Sequence, residues 1–350
     1  MKYDKNSFLA GISVGRTLKG WAAGSEGFSG GGGGSCNFPN GTEWTQSNIT
    51  NENFRSAHNA NGIWVACSYS SGLYYSTGGK SWEPSNITSG RFFGACNANG
   101  IWSASGEPGI YYSKDGKTWT QSNVTKGPLS TGWIYNANGI WIATGSSKMQ
   151  YSSDGISWEE ITQQVRFSSV FYADGMWVGC GTNYYGALYY SLNGKEWIKS
   201  QDAYANCIYN ANGIWVVGTQ SKGLYFSVDG ITWENSNITD GWINSVYSAN
   251  GIWVACSHSS GIYYSTDGKS WEPSNITSGQ FKAVHNANGI WVVCSSSRGA
   301  VYYSIDGKNW TQSNITEITS YSVCNANGIW VLCSASSTGI YYSVSWELNE

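Results

Sequence analysis

The chain has 350 residues, 19 Lys and Arg against 22 Asp and Glu, a formal charge of −3 and only 12% charged residues in all. Ordinary domains carry about 25%, so the surface must be mostly neutral and polar. No basic footprint points to nucleic acid, and no apolar run approaches the ~18 residues of a membrane span.

The first element in chain order is short. Residues 7–19 carry Phe8, Leu9, Ile12, Val14 and Leu18, an amphipathic helix pattern, so residues 1–22 are predicted to be a helical anchor segment. They do not read as a secretory signal, because Gly11, Gly15 and Arg16 interrupt the apolar stretch and Asp4 precedes it. Residues 23–40 contain GSEGFSGGGGGS, a flexible linker by composition. A sticky helix on a tether is expected to anchor the chain or oligomerise it; a frayed end is the alternative.

From residue 41 onward the chain repeats. Trp64, Trp102, Trp141, Trp177, Trp215, Trp253, Trp291 and Trp330 recur every 36 to 39 residues, each two positions after an Asn-Gly, Asp-Gly or equivalent turn. A fixed period of that size marks a repeat architecture. The unit from Ser245 to Ile276 reads SVYSANG, IWVACSHSSG, IYYSTDG, KSWEPSNI. Short β-rich runs alternate with hairpin signals, which gives four antiparallel strands, a to d. Such units stacked radially form a β-propeller. The predicted fold is therefore all-β, an eight-bladed propeller over residues 41–350.

A second signature, Ser-x-Asp-Gly-x-x-Trp, spans strands c and d around Asp115, Asp154, Asp229, Asp267 and Asp306, with Asn193 or Gly78 replacing Asp in two copies. A turn Asp accepts backbone N–H groups and Gly supplies positive φ; the Trp returns as a large apolar wedge. The last repeat stops at VSWELNE without this turn, while Gly41 to Thr50 duplicates a d strand around Trp44. That N-terminal strand is expected to complete the eighth blade and close the ring.

Five of the nine cysteines (Cys67, Cys180, Cys256, Cys294 and Cys333) fall in one repeat slot that elsewhere holds Ser105, Thr144 or Gly218. They are expected to be small buried thiols made in a reducing bacterial cytoplasm. His58 and His285 share an a-strand slot with Cys96, Tyr135, Phe171, Tyr209, Tyr247 and Cys324. The slot reads as core, so no metal and no cofactor is expected. The six Asn-Ile/Val-Thr sequons from Asn48 to Asn314 recur at one position and read as turn chemistry at the end of strand d.

Eight copies in one chain allow internal variation to be read directly. The NG and DG turns must crowd one uniform face of the ring. The b–c and d–a loops share the other face and vary. The b–c loops carry Tyr69, Glu107, Lys148, Tyr184, Tyr185, Gln220, Lys222, His258 and Arg298; the d–a side adds Arg91, Trp133, Arg166, Tyr204, Trp242, Lys282 and Tyr321. Aromatic and polar residues of this kind suit an adaptable binding surface, and these sixteen are the candidate ligand-binding residues. Drift of unselected loops is the plainer alternative.

The Ser-x-Asp-Gly-x-x-Trp box resembles the Asp-box, or BNR, repeat of sialidase-like propellers, although the usual box has one more residue between Asp and Gly. Whole repeats such as NGIWVACS and GLYYS look like propellers of bacteria and phages, and FLAGISVGRTLKGW resembles the N-termini of phage structural proteins of gut bacteria. The resemblance implies an adsorption or tail-fibre-like role, on a virion or other extracellular surface after assembly. Residues 1–35 would then join the larger assembly, and the partner would be a cell-surface glycan or protein. No nucleic acid and no transmembrane segment are implied.

Sialidase chemistry would need an arginine cluster, a Tyr–Glu nucleophile pair and an acid/base Asp. Arg55, Arg91 and Arg166 begin a strands, but Arg55 lies seven residues before its turn glycine and the others nine. Carboxylates on the variable face are few: Glu107, Glu159, Glu160 and Asp202. No glycosidase pair ~5–10 Å apart can be assembled from them. A non-catalytic recognition propeller is the leading expectation, with a structural or decoration subunit second and a glycoside hydrolase third.

Overall fold

The computed structural model describes residues 41–125, 132–145, 148–181, 186–335 and 338–344. They form eight four-stranded antiparallel sheets, and no described residue is helical. Seven sheets are uninterrupted a-b-c-d meanders, blade 1 beginning at Phe54 and blade 7 at Phe281. In the eighth, Thr45–Gln46 pairs with Ile340–Val344, placing Thr45 opposite Tyr342 and Gln46 opposite Tyr341. The ring is thus closed by the N-terminal strand, as the split repeat predicts. The a strands are innermost, and that of blade 8 lies against that of blade 1. The predicted anchor segment and linker, residues 1–40, lie outside the described residues.

Local sequence explains each hairpin. At the a–b turns two successive residues have positive φ, such as Asn61 at 52° and Gly62 at 80°. This is the type I′ geometry that Asn-Gly tolerates and that matches the twist of paired strands. The b-strand tryptophans that follow are each at most 2% exposed, and the d-strand tryptophans at most 8%. Two concentric sets of indoles therefore fill the space between blades, each ring burying roughly 150–250 Å².

The c–d turn is a small polar machine. In blade 7 the Ser304 hydroxyl accepts N–H bonds from Asp306 and Gly307 and donates to Asp306 Oδ1 at 2.9 Å. The same Oδ1 accepts the N–H groups of Lys308 and Asn309 at 2.8 Å. Partial burial works to raise the Asp306 carboxyl, but the backbone and side chain of Asn309, the Lys308 N–H and the Ser304 hydroxyl outweigh it and hold it down to about 2. Asn193 reproduces the arrangement in blade 4 with neutral chemistry, accepting from Lys195 and Glu196 at 2.9 Å.

In blade 8 this turn is split between distant parts of the chain. Ser343 accepts the N–H of Gly41 at 3.0 Å, although 302 positions separate them. Trp44 Nε1 then donates to the Gly41 carbonyl at 3.0 Å, as Trp82 does to Gly79 in blade 1.

The sequon asparagines have a different job from the one their spacing suggests. The preceding serine closes the local turn, as when Ser85 Oγ accepts the Ile87 N–H at 3.0 Å. The asparagine itself reaches the next blade. Asn275 accepts the Trp310 N–H at 2.8 Å and donates to the Trp310 carbonyl at 3.0 Å. The same two-point clasp is made by Asn48 on Trp82, Asn86 on Trp119, Asn123 on Trp158, Asn237 on Trp271 and Asn314 on Trp44. Gln163 substitutes on Trp197.

Blade 4 breaks the series: its d strand runs on as Ile198–Asp202, and Gln201 pairs with Leu188 of its own sheet. Trp233 of blade 5 consequently has no such clasp among the described residues. Asn275→Ala leaves two backbone groups without their partner and is expected to cost about 2–3 kcal/mol. Gln201→Ala at the open junction is expected to cost no more than about 0.5 kcal/mol. Urea denaturation of the two variants checks the contrast.

The eight cysteines among the described residues are free and buried. The slot shared by His58 and His285 is also core, with His58 6% and His285 0% exposed. Its residues touch from blade to blade. Phe171, Tyr209, Tyr247 and His285 follow one another with ring centroids 5.0, 4.9 and 5.0 Å apart.

Candidate functional site

The variable face is built by the b–c loops and by the chain entering each a strand. One hydrogen bond joins the two in most blades. The first residue of the b–c loop donates its N–H to the carbonyl of the residue before the a strand. It links Tyr69 to Asn53, Glu107 to Arg91, Gln220 to Tyr204 and His258 to Trp242, at 2.8 to 2.9 Å. Residues from the two predicted loop sets are therefore neighbours within a blade.

Their side chains interact accordingly. Arg91 pairs with Glu107 at 3.0 Å. His258 stacks on Trp242 with centroids 5.1 Å apart and planes 33° apart, leaving Trp242 41% exposed. Gln220 Nε2 donates to Asn206 Oδ1 at 3.1 Å. Lys148 is tied to Glu160 at 2.7 Å. Trp133 is half-buried, its N–H and carbonyl both bonded to Thr144. Tyr204 is 52% exposed and covers Gly186, where an added Cβ would meet its ring at 2.3 Å. Lys222 and Arg298 are exposed, and Arg166 is half-buried. Tyr184 and Tyr185 lie outside the described residues.

Lys282 and Tyr321 are not in the d–a loops where the sequence places them. They lie inside a strands, at a β-bulge. In six blades the a–b register skips one residue, and that residue is Arg55, Phe93, Asn206, Asn244, Lys282 or Tyr321. A bulge re-aims the extra side chain, here on the innermost strand and at its variable-face end. Each of the six stands seven residues before its turn glycine. That offset was the available signal, and it explains why Arg55 does not align with Arg91 and Arg166.

This inner crown has two unlike halves. Through blades 4 to 6 it is stitched by short polar side chains. Ser168 donates to the Ala205 carbonyl at 2.8 Å, Asn206 to Ile243 at 3.1 Å and Asn244 to Phe281 at 2.6 Å. Blades 7, 8 and 1 present Lys282, Tyr321 and Arg55 instead. The Arg55 guanidinium sits between two rings, 4.0 Å from the centroid of Tyr321 and 4.2 Å from that of Tyr69. Arg91 lies 4.7 Å from the same Tyr69 ring. Stacking holds the Arg55 fork in place, yet its Nε is buried without a hydrogen-bond partner.

The sparse carboxylates are each occupied. Besides Glu107 and Glu160, Asp202 pairs with Lys199 at 2.6 Å, and Glu159 accepts the Tyr151 hydroxyl. The Tyr–Glu contact recurs at Tyr75–Glu83 and Tyr264–Glu272 on the outer strands, where the hydrogen bond to the carboxylate raises each tyrosine's pKa. A lysine of the next blade covers each ring, Lys117, Lys195 and Lys308 at 4.4 to 5.0 Å. Repetition on three blades makes this a framework contact between blades. Among the described residues no group of three His, Cys, Asp or Glu is placed to hold a metal ion. No described helix is long and apolar enough to cross a membrane.

The chain is an eight-bladed β-propeller. Similar solved structures include the computationally designed Ika8 protein, with a TM-score of 0.67 and 8% identity over 85% of this chain and 98% of that one. Sqt1 of Saccharomyces cerevisiae has a TM-score of 0.65 and 10% identity, covering 89% of this chain and 100% of its own. YCF48 bound to a D1 peptide has a TM-score of 0.57 and 16% identity over 89% and 97%. At these identities the likeness is one of fold. No protein-family model and no curated protein sequence matches the chain.

Proposed function

We propose that this chain is a non-catalytic recognition propeller of the Asp-box kind, an adhesin of a phage tail or similar surface assembly that presents its variable face to a cell-surface protein or glycan. One observation carries the reading: loop residues that differ from blade to blade meet in pairs on a single face, above a frame whose turns, clasps and indoles repeat. The neighbours add that a propeller of comparable shape, YCF48, is seen with a peptide bound, which favours a polypeptide among the ligands. The phage assignment rests on the repeat strings and on the opening segment.

Trp242 tests the reading, since it is exposed, aromatic and outside the frame. Trp242→Ala is expected to reduce binding to host cells or to an arrayed ligand at least fivefold while leaving the melting temperature within about 2 °C. Trp133→Ala, half-buried on the same face, serves as the second variant. Unchanged binding in both variants overturns the variable-face site.

A further inference from the structure

The inner crown is where charge and geometry agree. Lys282 on blade 7, Arg55 on blade 1 and Arg91 on blade 2 form an arc of cations at the variable-face mouth, interleaved with Tyr321 and Tyr69. Arg91 is neutralised by Glu107. Arg55 and Lys282 are in no ion pair among the described residues; the pairs present are Arg91–Glu107, Lys148–Glu160 and Lys199–Asp202. Nor, among the described residues, does either side chain donate to a carbonyl, as Asn206 and Asn244 do at the same bulge position. Glu52, the nearest acid in sequence, is held by the hydroxyls of Ser68, Ser70 and Ser71. Lys282 stands at the bulge of an innermost strand and is half-buried.

Arg55 differs from the exposed lysines in being half-buried and held between two rings at the bulge of the innermost strand. Stacked between two rings, a guanidinium is preorganised for bidentate contact with a carboxylate. The tyrosine rings of the crown are engaged by guanidinium groups, Tyr321 by Arg55 and Tyr69 by Arg55 and Arg91. What the crown offers is N–H donors and positive charge on blades 7 and 1, on either side of Tyr321 of blade 8. We propose that the crown formed by Lys282, Tyr321, Arg55 and Tyr69 binds an acidic polypeptide segment, the Arg55 fork taking one side-chain carboxylate and Lys282 another. The proposal rests on the variable face being the recognition face, and it names the ligand class for that face.

The test uses the full chain and a fluorescein-labelled poly-glutamate peptide, with a polygalacturonate oligomer of equal charge as the second arm. Peptide anisotropy is expected to report binding that weakens as salt rises. Arg55→Gln and Lys282→Gln are each expected to weaken it about tenfold, and Arg55→Lys to recover only part of the loss. Lys308→Gln, over Tyr264 on the outer strands, is expected to leave it unchanged. Melting temperatures separate lost binding from lost fold, and the charge change at half-buried Lys282 keeps the test open if Arg55 variants unfold. Failure of the peptide to bind, equal weakening by Lys308→Gln, or binding of polygalacturonate alone overturns the proposal. If cell binding still falls with Trp242→Ala in any of those cases, the recognition reading stands and only the ligand class is wrong.

Discussion

Trp44→Ala is expected to destabilise the ring by about 3–5 kcal/mol, the range for deleting a buried Trp side chain, and to make the protein self-associate. The indole packs in one cluster with Val292, Cys294 and Val301 of blade 7 and Leu332 of blade 8, so its loss empties a junction between blades. The second effect comes from topology. Among the described residues, Thr45–Gln46 and the chain that follows it cover the outer edge of Ile340–Val344, and a strand with unpaired N–H and C=O groups templates pairing with another chain. Trp82→Ala is the comparison, because Trp82 is equally buried but sits in an uninterrupted blade. Size-exclusion chromatography and thermal melts of both should show similar packing losses and oligomers only for Trp44→Ala. Identical behaviour would mean that the two-residue strand is not what closes the ring.

Mild acid is expected to unfold the protein through two histidines. Burial pushes His58 down to about 4 and His285 down to about 3, from an ordinary value of 6.5, and neither His285 nitrogen has a partner. Because the folded values lie below the unfolded one, the unfolded chain takes up protons that the native ring refuses. Their stabilisation is complete above pH 6.5 and is lost as pH falls toward 4 and 3. At pH 5 the two together should have lost on the order of 4 kcal/mol. Phe171 fills the same slot in blade 4, so the double variant His58→Phe, His285→Phe should fold and hold a flat stability from pH 6.5 to about 4.5. The turn aspartates act in a separate window. Asp115, Asp154, Asp229, Asp267 and Asp306 are all lowered by their hydrogen bonds, so their contribution persists until pH falls below about 4. A wild-type melting curve that does not change between pH 6.5 and 4.5 contradicts the histidine account.

The frame was legible because its signals are local and repeated. Asn-Gly at Asn61-Gly62 states a turn, Trp64 states a buried position, and eight copies state the ring. Closure was legible because Ser343 lacks its turn while Gly41 and Trp44 carry a spare one. The sequons were misjudged because a residue's own neighbours explain Ser85 but not Asn86, whose partner Trp119 lies in the next blade. The crown was harder still. A bulge is a property of two paired strands, so Lys282 and Tyr321 look like loop residues, and Arg55 like the plain start of an a strand, until the a–b register is known. Their shared offset of seven was visible, but nothing in one strand says that this offset turns a side chain inward. The missing clasp at Gln201 was likewise hidden by a strand that simply continues.

The split turn of blade 8 also fixes a direction. Gly41 occupies a c–d turn, so the chain enters the propeller on the uniform side, and Val344 finishes strand c on that side as well. The crown, Trp242 and the paired loops lie on the opposite face, so the variable residues and the two ends of the described ring are on opposite sides.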